Sequence, residues 1–322
     1  MADAEVIVWL LAGDVAVAHQ TRRDLLGVDD PGLQGRIAHE GDGARLLAAR
    51  RPDGHWGRGF YQPKWTSSHY TLLELRDLGL PRDHPQARES VALILATYRA
   101  EDGGLDPRPG IRSSDACING MALNYSSWFG APEHDLRSIV DRLLAGLVPD
   151  GGFNCEHRPG HEVRHSSMHT TVSVLEGIEA YRAAGHGHRL AELERAVDSA
   201  VEFLLRHELF RSERTGAVIR PDFTRLHHPP RWHFDILRGL DCLATLGRPH
   251  DSRMDAALDV LRSRRRADGR WSARSWPGET HVPRPSGREP SPWATLRALR
   301  VLHHFGVPDE AAGSTLDDVG TP

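Results

Sequence analysis

Twenty histidines and three cysteines are the residues of this chain best suited to chemistry. Imidazole ligates metals and titrates near neutral pH, and a thiolate is both nucleophile and metal ligand. The cysteines are Cys117, Cys155 and Cys242. Cys117 lies in the phrase Asp115-Ala-Cys117, and 52 residues beyond it stands His169, in Met168-His-Thr-Thr171. Taken singly, Asp115 after Ser113-Ser114 reads as a helix N-cap, Cys117 as a small buried hydrophobe, and Cys242, among apolar neighbours, as core. His233 and Asp235 have the types needed for acid–base work or for orienting a substrate, although residues two apart on a helix point in different directions. Arg220, Arg225 and Arg231 flank one loop and could bind an anionic group such as a diphosphate, although solvated loop arginines are the commoner case. Of the 40 basic residues only Lys64 is a lysine, a bias that assigns no function to the arginines.

The bulk composition narrows the classes. With 322 residues, 39% apolar, 26% charged and a net charge of −4, the chain belongs with soluble globular proteins. Nothing in the charge points to a nucleic-acid backbone, and no window reaches the roughly 20 apolar residues of a membrane span. An odd number of cysteines in a long chain argues for a reducing compartment. Asp3 and Glu5 stand where a signal peptide would need basic residues before Val6-Ile-Val-Trp-Leu-Leu11, so a cytoplasmic protein is expected.

The elements that must position these side chains follow from a repeat. Asp53-Gly-His-Trp56, Asp102-Gly-Gly-Leu105, Asp150-Gly-Gly-Phe153 and Asp268-Gly-Arg-Trp271 share one pattern, with a degraded copy at Thr215-Gly-Ala-Val218, at intervals of 49, 48, 65 and 53 residues. Glycine after aspartate suits a left-handed turn that ends a helix, and the apolar residue that follows can plug into the core. Apolar residues between the marks recur at helical spacing, and no strand pattern competes. One helix is predicted before each mark (84–100, 133–147, 189–210, 252–265) and a second after it (67–78, 115–129, 169–184, 232–246, 293–305). Gly79, Gly130, Gly185, Gly247 and Gly306 end the second helices. With 33–50 and two helices near 6–11 and 15–26, the total is twelve helices, or six hairpins. The second helices are the less charged, as an inner ring would be. An all-α, closed (α/α)6 toroid is predicted as a single domain over 1–307, with 308–322 as a frayed tail. Trp65, His69, Tyr70, Trp232 and Trp293 fall near the starts of inner helices and are the candidates for the cavity wall.

At this point the chain resembles the terpenoid cyclase and protein prenyltransferase toroids, its Asp-Gly-x-Trp marks being similar to the QW-type repeats of squalene and hopene cyclases over nearly the whole length. Asp115-Ala-Cys117 resembles the Asp-x-Cys at the start of one inner helix in the prenyltransferase β subunits. His169, followed by Thr170, resembles the zinc histidine at the start of the next, and Asp150-Gly-Gly-Phe-Asn-Cys155 and Arg158-Pro-Gly160 resemble the stretch before that histidine. The resemblance implies one zinc ion held by Asp115, Cys117 and His169. Cys155 is a candidate fourth ligand that would turn an open site into a closed, structural one. It also implies an isoprenoid-like substrate and, for a prenyltransferase, a helical partner subunit. The Asp-x-Asp-Asp proton donor of class II cyclases does not occur, and only 7% of residues are aromatic, which disfavours squalene-type cyclisation.

The expectation is a zinc-dependent enzyme acting on a small or isoprenoid-like substrate, the metal activating a thiol or water or polarising the substrate. Two alternatives stand beside it. One is a lipid- or peptide-binding toroid with structural zinc, the other a metal-free cyclase-like enzyme using a carboxylic acid such as Asp235.

Overall fold

The computed structural model describes residues 2–108, 113–155, 163–284 and 286–307, and the tail from Pro308 and the Arg158-Pro-Gly160 stretch lie outside them. The described residues are mostly helical. Six helices pack outside: α1 (Ala2–Leu11), α4 (Gly41–Ala48), α6 (Pro85–Thr97), α8 (Glu133–Ala145), α10 (Leu190–Arg206) and α12 (Asp255–Ser263). Each leads to a more buried partner: α2 (Val15–Leu26), α5 (Ser68–Asp77), α7 (Ala116–Trp128), α9 (Met168–Ala183), α11 (Ile236–Thr245) and α13 (Pro292–His304). Glycines 79, 130, 185, 247 and 306 all take positive φ after α5, α7, α9, α11 and α13, where they were expected to stop the helix.

Four of the repeat marks act alike. Gly54, Gly103, Gly151 and Gly269 are left-handed, and the apolar residue two positions on, Trp56, Leu105, Phe153 or Trp271, is fully buried. Each plug then ties its hairpin together. Its backbone N–H donates to a polar side chain near the start of the following inner helix: Trp56 to Ser68 Oγ (3.0 Å), Leu105 to Asn119 Oδ1 (2.7 Å), Phe153 to Thr171 Oγ1 (3.0 Å) and Trp271 to Thr295 Oγ1 (3.0 Å). The two tryptophans also reach backwards. Trp56 Nε1 donates to the Leu46 carbonyl (2.6 Å) and Trp271 Nε1 to that of Leu261 (2.8 Å), so each indole adds a second donor to a carbonyl in the last turn of its outer helix. The degraded copy does not plug: Gly216 is left-handed, but Val218 is 47% exposed.

Inner helices follow one another in space. α7 and α9 pack together most extensively, α5 lies against α7, α9 against α11, α11 against α13, and α13 against α2. Gln20 Nε2 of α2 donates to the Asp77 carbonyl at the end of α5 (2.8 Å). The α7–α9 crossing needs bare backbone, because a Cβ on Gly177 would lie 2.3 Å from the Gly120 carbonyl oxygen.

Three expectations are corrected. The helix expected over 33–50 is two, α3 (Pro31–Arg36) and α4, broken at Gly41, whose φ is +62° and whose backbone passes the Asp14 carboxylate that accepts from Asp42 N–H (2.9 Å). A short antiparallel pair, β1 (Ser272–Arg274) and β2 (Ser286–Pro290), lies in the last long loop, where no strand was expected because Gly and Pro obscured any alternation. The fifth inner helix starts at Ile236 rather than Trp232, because Arg231 takes a left-handed φ of +60° and Asp235 caps the helix by accepting from Arg238 N–H.

Trp271→Ala is expected to cost about 3–5 kcal/mol in urea unfolding, as a large core truncation, whereas Val218→Ala should stay within about 0.5 kcal/mol.

Candidate functional site

The amino-terminal ends of α5, α7, α9 and α11 carry nearly all the chemistry-bearing residues. Phe153, locked to Thr171, delivers Cys155 two residues later to the start of α7. There the Cys117 N–H donates to Cys155 Sγ at 3.1 Å, and Thr170 Oγ1 lies 3.4 Å from the same sulfur. The two thiols also hydrogen-bond to each other. Through that bond, with help from Thr170 and the Cys117 amide, the Cys155 thiol is held below its ordinary range, while the same bond and burial push Cys117 up. Within the pair, Cys117 therefore holds its proton more strongly than Cys155. All three cysteines are free thiols, and Cys242 is buried within α11, as expected.

Asp115 is the N-cap residue of α7 by position, yet its side chain makes no capping bond. Its Oδ2 lies 3.5 Å from Arg108 Nη2, and its charge acts on both thiols. Beside them the hydroxyls of Tyr61 and Tyr70 are 3.0 Å apart. Burial, and the neighbouring Cys117 and Asp115, push the Tyr61 phenol up, so it stays protonated.

His169 starts α9 next to Thr170 but turns elsewhere. Its Nδ1 accepts from Phe234 N–H at 2.7 Å, and its ring meets those of Trp232 (5.1 Å) and Phe223 (5.3 Å). Burial lowers its pKa to about 4, so the ring is neutral at pH 7 and carries its proton on Nε2. Neither nitrogen then offers a free lone pair. Among the described residues no three His, Cys, Asp or Glu side chains are arranged to hold one metal ion. Asp115, Cys117 and Cys155 are brought close, whereas His169 is turned to the Phe234 N–H.

The segment before α11 supplies rings. His233 is sandwiched between Trp232 (3.8 Å) and Trp276 (3.6 Å), and Trp276 stacks on His227 (4.1 Å). From Trp65, 6.0 Å from His233, ring contacts continue through Tyr70, Tyr61 and Phe60 to Tyr98. Burial takes His233 down to about 3, leaving it a neutral ring and a weak base. Asp235 Oδ1 accepts from Arg238 N–H (2.9 Å), and its Oδ2 lies near His227 N (2.8 Å) and Nδ1 (3.2 Å), the work of a helix cap. His69 is fully buried against Tyr125 OH (3.3 Å), its pKa lowered to about 3 by burial. Trp65 is buried with its Nε1 on the Pro277 carbonyl, and Trp293 is buried and stacked on His228.

Sequence reasoning missed Tyr61, Trp276 and His227, which sit in irregular loops, and gave no weight to Lys64. That lone lysine places its ammonium 5.8 Å from the Trp65 ring and 5.4 Å from that of Trp232, over the rings themselves. Its isolation among arginines was the available signal.

No family model matches the chain, and no curated protein matches it. Among solved structures it is similar to the type II terpene cyclase MstE from Scytonema. The likeness is at 16% identity over 74% of this chain and 79% of that one, with a TM-score of 0.31 for the apo form and 0.32 for a complex with geranylgeranyl dihydroxybenzoate.

The thiol contact makes a covalent prediction. Diamide treatment is expected to link Cys117 to Cys155 and leave Cys242 reduced, read by non-reducing peptide mapping. Cys155→Ser should abolish the link.

Proposed function

We propose that the six helix pairs close as an (α/α)6 toroid, and that the protein is a cyclase-type enzyme acting on an isoprenoid-like substrate at the amino-terminal end of its inner helices. The observation that carries this is the unbroken run of ring contacts from Tyr98 to His227, branching at His233 through Trp232 to His169 and Phe223. Aromatic faces bind apolar chains and stabilise positive charge developing on them. An overall aromatic content of 7% hides this, because the rings are concentrated at one end. Among the described residues the buried indole N–H groups of Trp232 and Trp276 have no hydrogen-bond acceptor, which favours a substrate that carries an oxygen.

In this proposal Asp115 moves the proton. Both oxygens of Asp235 are committed to hydrogen bonds at the cap of α11, whereas the Asp115 carboxyl makes no capping bond and lies near Cys117 and Tyr61; as the acid it gives its proton to the substrate and recovers one when the cyclised cation is deprotonated. Neutral His169 and His233 contribute ring faces rather than charge. Zinc enters no step. A zinc site here would require His169 to give up its Phe234 bond, so metal analysis is expected to find less than one zinc per chain; stoichiometric zinc lost in Cys117→Ser would reinstate a zinc enzyme.

Titration of tryptophan fluorescence with C10 to C20 isoprenoid alcohols is expected to show saturable quenching, weakened about tenfold in Trp232→Ala, equivalent to about 1.4 kcal/mol. Mass spectrometry should then find a product of unchanged mass, since the proton gained is returned. Asp115→Asn should bind but form none. Binding without turnover by the wild type would make the chain a lipid carrier, and quenching indifferent to Trp232→Ala would sink the site assignment.

A further inference from the structure

The far end of the inner ring has different chemistry. A cavity of about 170 Å³ lies between the carboxyl-terminal halves of α5, α9 and α11, the end of α7, α2 and α13. Its wall includes Arg23, Arg76, Arg231, Arg238, Arg297 and Arg300 against four carboxylates, Asp77, Glu176, Glu179 and Asp241, a formal excess of two positive charges. Carboxyl ends of helices attract cations, which accounts for arginines gathering here. It does not account for how they are engaged.

Arg238 and Arg300 are each held bidentately by a carboxylate. Arg238 binds both oxygens of Glu176 (2.9 and 2.7 Å), and Arg300 binds both of Asp241 (2.8 and 2.6 Å). Three others have donors to spare. Arg297 approaches Asp77 only to 3.6 Å and Asp241 only to 3.9 Å, outside hydrogen-bond range, and both carboxylates are already held by other arginines. Arg76 Nε is buried with no acceptor among the described residues. Arg231 is 4% exposed, makes one long hydrogen bond to the Trp65 carbonyl (3.4 Å), and shares its carboxylate, Glu74, with Arg284. Guanidinium groups removed from bulk water with unfilled N–H donors are the setting in which an oxyanion is held by charge-assisted, bidentate bonds.

We propose that this cavity is a second ligand site, separate from the aromatic end, for one compact phosphate-type oxyanion, inorganic phosphate or diphosphate in size, bound chiefly by Arg297 and Arg231 with Arg76 at its edge. Arg231 lies over the Trp65 ring (5.4 Å) and so separates the two sites along the ring axis. The site depends on no reaction at the other end.

Calorimetry of the full chain at low ionic strength tests this with inorganic phosphate and diphosphate as probes, and chloride and succinate as controls. One saturable site per chain is expected for phosphate or diphosphate, with chloride giving no heat and succinate binding at least tenfold more weakly. Arg297→Ala should weaken binding tenfold or more. Arg297→Lys keeps the charge but loses the planar fork, and should fall between wild type and alanine, with thermal unfolding confirming that both variants fold. Trp232→Ala should leave phosphate binding unchanged, so failure here is distinguishable from failure of the aromatic site. Absence of saturable binding by either probe, or binding untouched in a folded Arg297→Ala protein, would overturn the proposal and leave the arginines as an internal ion-pair network.

Discussion

The architecture depends on one repeated hydrogen bond, from the amide of a buried plug residue to a polar side chain near the start of the next inner helix. A left-handed glycine turns the chain at the end of an outer helix, the plug enters the core, and its N–H is then out of water and needs an acceptor. Ser68, Asn119, Thr171 and Thr295 supply it. Each bond is modest, but losing the acceptor would leave a buried donor unsatisfied, at a cost of about 1–3 kcal/mol. The same bond fixes where the following loop leaves the core. Phe153 on Thr171 is what puts Cys155 onto the first turn of α7, so the thiol pair is a consequence of the scaffold.

Along the inner helices the molecule separates two environments. Glu74 between Arg231 and Arg284 is a buried charged group, and Glu176 binds Arg238 in the cavity wall. Such pairs add little net stability once desolvation is counted, though removing one partner is costly. Their effect is partition. On one side are aromatic and neutral imidazole rings, with histidines kept unprotonated by burial; on the other is a cavity rich in guanidinium groups. A polyene would find only the first side favourable, and a small oxyanion only the second.

Much of the fold was legible because it is encoded locally. The Asp-Gly marks, the terminal glycines and the helical spacing each act within a few residues, and the inner helices follow the expected ranges to within a few positions. Leu33–Arg50 broke because the constraint at Gly41 comes from Asp14, distant in sequence. Val218 failed as a plug because the pattern records a turn and not what the next side chain meets. Of the candidate site, Asp115, Cys117 and Cys155 were legible as a group, since two lie on one turn and the third follows a recognisable mark. The partner of His169 was not, because it is a backbone N–H of Phe234 that no sequence pattern announces.

By itself, then, the amino-acid sequence determined that this chain is a series of helix pairs with buried plugs, and which ends of the inner helices carry thiols, carboxylates and imidazoles. Only the tertiary structure decided their combination. It aimed His169 at the chain before α11, occupied Asp235 as a cap, stacked His233 between two indoles and gathered rings from distant loops into one array. The physical reason is range: turns and caps are settled by neighbours in sequence, whereas ring stacking, ion pairing and ligand geometry depend on where loops of unequal length return to the core.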